Sequence, residues 1–174
     1  MANIEYIHAW KRGGEIVTEK VYNENGIKDL GELKLVGFRV LCPGDKYIFE
    51  IPRATKKLSD RLNEIKHVRY PHLLNGAFVV EPSSEEEDGY WIGVEVEEFE
   101  DIPTDMVTLT IPSQSYASTT YRGPNYDIRK AYRELHTWMG QQGLERNIRG
   151  WHLEVFHEWE DADNIDVELL DTLH

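Results

Sequence analysis

The order of strand-like and helix-like segments repeats once along this chain, and the repeat constrains the fold more than any other feature. After residue 32 the hydrophobic patterns predict the order β-α-β-β, and after residue 105 they predict it again, with a lag of about 70 residues. The unit is too long for a solenoid repeat, and two copies are too few for a propeller. We therefore expect an α+β fold, in which duplicated βαββ units form one mostly antiparallel sheet with two helices on one face and a ligand cleft on the other.

Apolar residues at helical spacing define the two helices. The first helix is expected near residues 52–66, with Pro52 close to its start, where the missing amide hydrogen costs nothing. The second is expected near residues 126–140, closed by Gly140 and Gly143. Strands of the main body are expected at 33–41, 74–80, 90–98, 106–121, 151–159 and 165–173, and Pro112 interrupts the fourth of them.

The N-terminal residues are expected to form a separate unit. Two β-prone runs between residues 4 and 22 flank the turn signal Gly13-Gly14, which predicts a hairpin. We expect residues 1–30 to form an N-terminal β-hairpin extension and residues 31–174 to form the main domain. A length of 174 residues suits one domain with such an appendage.

The charge of the chain disfavours some function classes. The net charge is −13, from 19 basic and 32 acidic side chains, whereas binding to a phosphate backbone requires clustered Lys and Arg. We therefore expect no direct nucleic acid partner. Nineteen of the acidic residues lie in two segments without any basic residue, 81–105 and 151–174. These segments are either solvated edges or the source of a field that favours a cationic ligand or a basic protein partner.

Several other features are expected to be absent. No apolar run reaches the length of a membrane span, and the N-terminus lacks a basic-then-apolar export signal, so we expect a cytoplasmic protein without membrane association. Cys42 is the single cysteine, and no phosphate-binding glycine loop occurs. His152 and Glu154 share a strand face, but His157 points the other way, so we expect no metal site and no cofactor.

The strand after Gly150 carries the strongest functional signal. Side chains alternate between the two faces of a strand. We expect Leu153 and Val155 to pack against the helices. His152, Glu154 and Phe156 would then share the opposite face. A carboxylate in mid-strand between aromatic residues is either solvated or the acid of a binding pocket.

The open face of the first unit is expected to complete the cleft. Trp91 and Gly93 should lie on the same face as Glu154, and the glycine leaves room for a ligand. Tyr116 and Tyr121 lie on opposite faces of their strand, so that one lines the cleft and the other lies in the core. Aromatic walls around an acid are suited to a lipophilic cation, and an acid without a basic partner should have a raised pKa.

Short motifs in a defined order carry a family resemblance: Leu35-Val36-Gly37-Phe38, Tyr90-Trp91-Ile92-Gly93-Val94, Ile111-Pro112, Tyr116-Ala117, Tyr121-Arg122-Gly123, Trp138 and Leu153-Glu154-Val155-Phe156. Residues 32–174 resemble the GyrI-like (gyrase-inhibitor-like) effector-binding domain of bacterial MerR-type and AraC-type transcription activators. The resemblance implies a duplicated βαββ sheet with a cleft between its halves. It also implies that Glu154 is the pocket glutamate that contacts cationic ligands and that Phe156 is an apolar wall. We expect no helix-turn-helix module ahead of these motifs.

The leading hypothesis is a non-enzymatic module that binds a small aromatic or lipophilic molecule, whether cationic or neutral. It would sequester the compound or pass a signal to a protein partner, as the effector domains of multidrug-responsive transcription regulators do. One alternative is a small-molecule hydrolase of the same superfamily that uses Glu154 as its acid or base. A second alternative is an acidic protein that inhibits a DNA-handling enzyme. The candidate ligand-binding residues are Glu154, Trp91, Phe156, Tyr116, Tyr121 and His152.

Overall fold

The computed structural model describes the backbone of residues 6–12 and 15–21 and the whole of residues 25–174. The first two strands, β1 (Tyr6–Arg12) and β2 (Glu15–Val21), pair antiparallel in a two-stranded sheet of their own. The predicted turn at Gly13-Gly14 lies outside the described residues. The division of the chain at residue 30 stays a prediction, and residues 26–30 form an edge strand of the main sheet.

The main sheet contains eight strands: β3 (Gly26–Leu30), β4 (Leu33–Val40), β5 (Leu74–Val79), β6 (Tyr90–Glu95), β7 (Val107–Ile111), β8 (Gln114–Gly123), β9 (Trp151–Glu158) and β10 (Ile165–Thr172). They pair antiparallel in the order β3-β8-β10-β9-β5-β6-β4-β7. Helix α1 (Tyr47–Ser59) connects β4 to β5, and helix α2 (Ile128–Gln142) connects β8 to β9.

Two βαββ units are present in this order, which confirms the predicted α+β fold. The first unit is β4-α1-β5-β6 and the second is β8-α2-β9-β10. In the sheet their strands follow the equivalent orders β4-β6-β5 and β8-β10-β9, and the units meet where β5 pairs with β9. We call this β5–β9 pair the seam. Gly76 lies directly opposite Glu154 across it.

Both helices pack on the same face of the sheet. Leu58 of α1 and Leu135 of α2 are fully buried in one apolar cluster with Ile92 of β6 and Leu169 of β10. Each helix is amphipathic, so that its apolar stripe covers the sheet while the other side meets water. Neither described helix combines the length and hydrophobicity that a transmembrane span requires.

Helix α1 begins and ends earlier than predicted. A 3-10 turn at Gly44–Lys46 leads directly into α1, which therefore begins five residues earlier than expected and ends at Ser59. Pro52 consequently lies inside this helix rather than at its start. Helix α2 lies about two residues further along the chain than predicted. Gly143 ends it with a left-handed φ of 68°, whereas Gly140, which was also expected at its end, lies inside it.

The main sheet curls until its two edges approach each other. Gly31-Glu32 joins β3 to β4, and Pro112-Ser113 joins β7 to β8, although the strands of each pair lie near opposite edges of the sheet. Three steps between consecutive Cα atoms span at most about 11 Å. The face away from the helices is therefore enclosed by the curl. It holds a second apolar cluster, which includes Leu35, Trp91, Ile111, Tyr116, Leu153 and Leu170.

This second cluster corrects the predicted position of the cleft. The alternation along β9 is as predicted, but its sense is inverted, because Leu153 points into the curl. Glu154 and Phe156 lie on the helix side of the sheet instead. The curled sheet fills its inner face with the apolar side chains of this second cluster, and the cavity around Glu154 lies on the other face.

Candidate functional site

A cavity of about 840 Å³ lies between the two helices and the sheet. Its volume falls in the range of small-molecule sites, which is roughly 300–1,000 Å³. The sheet contributes aromatic side chains and two carboxylates, and the helices contribute apolar and basic side chains. Residues that line it include Tyr47, Ile51 and Pro52 of α1, Tyr132 and His136 of α2, and Phe78, Tyr90, Glu154 and Phe156 of the sheet.

Glu154 lies at the seam and is 9% exposed. Its Oε2 atom accepts a hydrogen bond of 2.6 Å from the Tyr90 hydroxyl, and its Oε1 atom accepts one of 2.7 Å from the Tyr132 hydroxyl. Within the described part of the chain, no Lys, Arg or His nitrogen lies within 4.0 Å of this carboxylate. Burial raises the pKa of Glu154, and the two hydrogen bonds offset that rise only in part. The raised pKa agrees with the prediction from the sequence.

The absence of a side chain at Gly76 allows Tyr90 to reach this carboxylate. In the register of the sheet, Gly76 lies between Ile92 of β6 and Glu154 of β9. The Tyr90 ring crosses the β5 backbone there, and a Cβ atom at Gly76 would lie only 1.7 Å from the phenolic oxygen. Burial raises the pKa values of Tyr90 and Tyr132 well above their ordinary range, so both remain hydrogen-bond donors.

A second carboxylate, Asp171 of β10, also lines the cavity and is fully buried. It accepts hydrogen bonds from His136 Nε2 at 2.7 Å and from Arg146 Nε at 2.9 Å. Burial alone would raise the pKa of Asp171, but these two donors outweigh it and hold the pKa below the ordinary value. The charge of Asp171 is therefore matched by the Arg146 guanidinium, whereas no cation of the described residues contacts Glu154.

His152 lies on the same side of β9 as Glu154, as predicted, but it does not line the cavity. Its ring stacks on Phe78, with ring centroids 5.4 Å apart, and its Nδ1 atom accepts the amide hydrogen of Thr172 at 3.2 Å. Burial lowers the pKa of His152, so the ring is neutral. It supports the cavity wall through Phe78.

The structure brings Glu154 and Phe156 together in the cavity but places Trp91 elsewhere. Trp91 lies inside the curl, where it packs edge-to-face on Trp151 with ring centroids 5.1 Å apart. The guanidinium of Arg39 lies 4.9 Å from its ring centroid. Trp91 therefore forms part of the second core.

The two candidate tyrosines of β8 also lie outside the cavity. Tyr116 is fully buried inside the curl, and burial raises its pKa to about 12. Tyr121 lies on the helix side, but its hydroxyl donates to the carbonyl of Pro124 at 2.8 Å. Their predicted opposite orientation is correct, and neither of them lines the cavity.

The most important residues that the sequence prediction missed are Tyr90 and Tyr132. Tyr90 shares the strand parity of Ile92, which marks it as a helix-side residue. Tyr132 belongs to the apolar stripe of α2, and a buried tyrosine hydroxyl usually has a hydrogen-bond partner. These signals existed in the sequence, but they did not identify Glu154 as the shared acceptor.

One exposed cluster has the composition of a metal site. His67, Glu98 and Glu100 have potential ligand atoms within 4.8 Å of one another, the one such group found among the described residues. Lys66 already contacts Glu100 at 2.6 Å, and His67 Nε2 donates to the same carboxylate at 2.7 Å. These ion pairs explain the cluster without a bound ion.

A curled sheet of two βαββ units with a carboxylate-based cavity at their seam places the protein in the GyrI-like effector-binding class, as the sequence motifs predicted. The chain belongs to the family of Cass2, the integron-associated effector binding protein, whose sequence profile matches residues 26–170. Comparison with curated proteins gives no match.

Several solved structures share this fold. The EcmrR C-terminal domain is 17% identical with a TM-score of 0.63, and the alignment covers 87% of this chain and 98% of that one. SAV2435 bound to tetraphenylphosphonium is 15% identical with a TM-score of 0.62, covering 87% and 94%. The Vibrio cholerae integron cassette protein VCH_CASS2 is 11% identical with a TM-score of 0.57, covering 86% and 95%. The chain spans only 57% of the length of EcmrR as seen in a complex with DNA.

Proposed function

We propose that this protein is an effector-binding module whose cavity takes a lipophilic aromatic cation. The observation that supports this most directly is Glu154, a nearly buried carboxylate that two tyrosines orient and that no described cation neutralises. Leaving a charge in this state costs free energy, because its hydration has been removed. A ligand cation would supply the missing charge, and part of its binding energy would come from relieving that cost.

The walls of the cavity suit the remainder of such a ligand. Phe156, Phe78 and Trp159 present ring surface around the carboxylate. Aromatic faces attract cations and give large dispersion contacts to aromatic groups. The volume of about 840 Å³ accommodates a compound with several rings.

The relatives are consistent with this proposal. SAV2435 carries tetraphenylphosphonium, a lipophilic aromatic cation, on the same fold. EcmrR contains this fold in a protein that binds DNA, so we propose that the module described here reports its ligand to a transcription regulator or sequesters it. What these relatives share with this protein is the fold. The proposed class of ligand rests on Glu154 and the aromatic walls of the cavity.

Isothermal titration calorimetry with methyltriphenylphosphonium and with neutral triphenylphosphine oxide tests the proposal. The two probes are similar in shape and differ in charge. We expect the cation to bind more tightly, and Glu154→Gln to weaken its binding by more than about tenfold. The matched control is Glu158→Gln, an exposed position on the same strand, which should leave the affinity unchanged. Equal binding of both probes that is insensitive to Glu154→Gln would contradict the proposal.

Hydrolysis stays the alternative function, because a carboxyl with a raised pKa is suited to general acid–base chemistry. Each Glu154 oxygen already accepts a hydrogen bond from a tyrosine, which favours a fixed acceptor over a proton carrier. Incubation with aromatic esters, followed by chromatography, separates the two functions. Turnover that Glu154→Gln abolishes would favour the enzyme.

A further inference from the structure

The cavity-facing side of α2 is basic, in contrast to the acidic protein as a whole. Arg129, Tyr132, Arg133 and His136 all line the cavity, and their spacing places them on one face of the helix. Tyr132 reaches down to Glu154, and His136 pairs with a buried carboxylate. The two arginines have neither of these roles.

Arg129 and Arg133 are exposed, so they form part of the rim of the cavity. Across residues 25–174, no Asp or Glu oxygen lies within 4.0 Å of either guanidinium. Asp45 also lines the cavity, but it contacts Lys46 at 3.5 Å. The rim therefore presents two guanidinium groups one helical turn apart, and no carboxylate of residues 25–174 occupies either of them.

Tyr132 lies between these two arginines along the helix and connects the rim to the acid. A molecule with its positive centre at Glu154 would extend past Tyr132 to reach Arg129 and Arg133. A carboxylate or sulfonate at that end could accept paired hydrogen bonds from a guanidinium. The cavity thus has a negative group at the sheet and two positive groups at its rim, and Tyr132 links the two regions.

We propose that the natural ligand is amphoteric: an aromatic cation that also carries an anionic oxygen group, with the cation at Glu154 and the anion at Arg129 and Arg133. This inference rests on the proposed function and adds a second recognition element to it. Ion pairs at a partly exposed rim are modest individually, so the anionic group should improve affinity by about tenfold.

Rhodamine B and its ethyl ester form a matched pair of probes. The acid carries a carboxylate and the ester does not, while both share the cationic aromatic core. Fluorescence anisotropy at low salt should show that wild-type protein prefers the acid by about tenfold, and that the preference shrinks at high salt. The double variant Arg129→Gln/Arg133→Gln should remove it. The double variant Arg53→Gln/Lys130→Gln changes the net charge equally at positions outside the cavity and should retain the preference.

The outcomes separate this inference from the proposed function. If the ester binds as well as the acid, or if the preference survives in the Arg129→Gln/Arg133→Gln protein, the amphoteric ligand is excluded while cation binding stands. If both dyes and methyltriphenylphosphonium fail to bind the wild-type protein, both proposals fail.

Discussion

Replacing Gly76 with alanine tests whether the cavity depends on the missing side chain at the seam. The new Cβ atom would lie 1.7 Å from the Tyr90 hydroxyl oxygen and 2.4 Å from the ring carbon that carries it. Strands β6 and β9 hold β5 on both sides, so the Tyr90 ring has to move. Its 2.6 Å hydrogen bond to Glu154 would then be lost.

The expected loss of stability has two sources. Adding a methyl group to a well-packed site costs about 1–3 kcal/mol. A hydrogen bond to a charged group contributes about 1.5–3 kcal/mol. The two effects overlap because one ring movement causes both, so we expect the free energy of unfolding to fall by about 2–4 kcal/mol. The pKa of Glu154 should also rise further, since the Tyr90 hydrogen bond lowers it.

Urea unfolding followed by tryptophan fluorescence measures the change. Gly140→Ala is the matched control, because this helical position has no atom within 4 Å of an added Cβ. We expect that control to gain about 0.5–1 kcal/mol from the helix propensity of alanine. A Gly76→Ala protein whose unfolding free energy stays within about 0.5 kcal/mol of wild type would refute the reasoning.

Three further predictions concern the two carboxylates. Tyr132→Phe removes a hydrogen bond that lowers the pKa of Glu154. As the pH is lowered, the affinity for methyltriphenylphosphonium should therefore begin to fall at a higher pH than in wild type. Calorimetry between about pH 5 and pH 8 measures this, and an unshifted pH profile would contradict the prediction. The raised pKa of Glu154 means that its charged form destabilises the fold, so wild-type stability from this group rises as pH falls through that pKa. Glu154→Gln should therefore stabilise the ligand-free protein above that pKa in thermal unfolding, and a lower melting temperature would contradict this. Arg146→Met removes one of the two donors to Asp171 and should cost about 1.5–3 kcal/mol in urea unfolding. The exposed control Arg149→Met should change the unfolding free energy by about 0.5 kcal/mol or less, and equal effects would show that the Arg146–Asp171 pair is not stabilising.

Strand alternation predicted the opposite orientations of Leu153 and Glu154, and the lack of nearby cations predicted the raised pKa of Glu154. Both are local properties, because they depend on neighbours in sequence or on composition. The motif at Tyr90 to Val94 identified strand β6, which lies next to the seam. The prediction chose Trp91 of this strand as a ligand-binding residue rather than Tyr90. Tyr90 became a candidate only when the register placed Gly76 between its strand and Glu154.

The segregated charge along the chain shows a similar limit. Residues 81–105 contain acids and no bases, which in the sequence resembles an unbalanced acidic patch. In the structure, Asp105 pairs with Arg61 at 2.7 Å, and Glu100 pairs with Lys66 at 2.6 Å. Basic residues from the connection between α1 and β5 thus neutralise part of this acidic segment. Only the fold brings these basic and acidic residues together.

The sequence by itself determined the duplicated βαββ order and the alternation of side chains along strands such as β9, because hydrophobic periodicity follows the geometry of a single helix or strand. It did not separate β7 from β8, which were expected as one β segment at 106–121. Only the tertiary structure decided which face of the sheet holds the cavity. Both faces of β9 are buried, so parity cannot distinguish them. Two short connections, Gly31-Glu32 and Pro112-Ser113, draw the sheet edges together, and the enclosed face fills with Leu153 and Trp91. Glu154 therefore lies on the helix side of the sheet. There it contacts Tyr90 from the first βαββ unit and Tyr132 from helix α2, and the sequence alone does not place these two elements beside it.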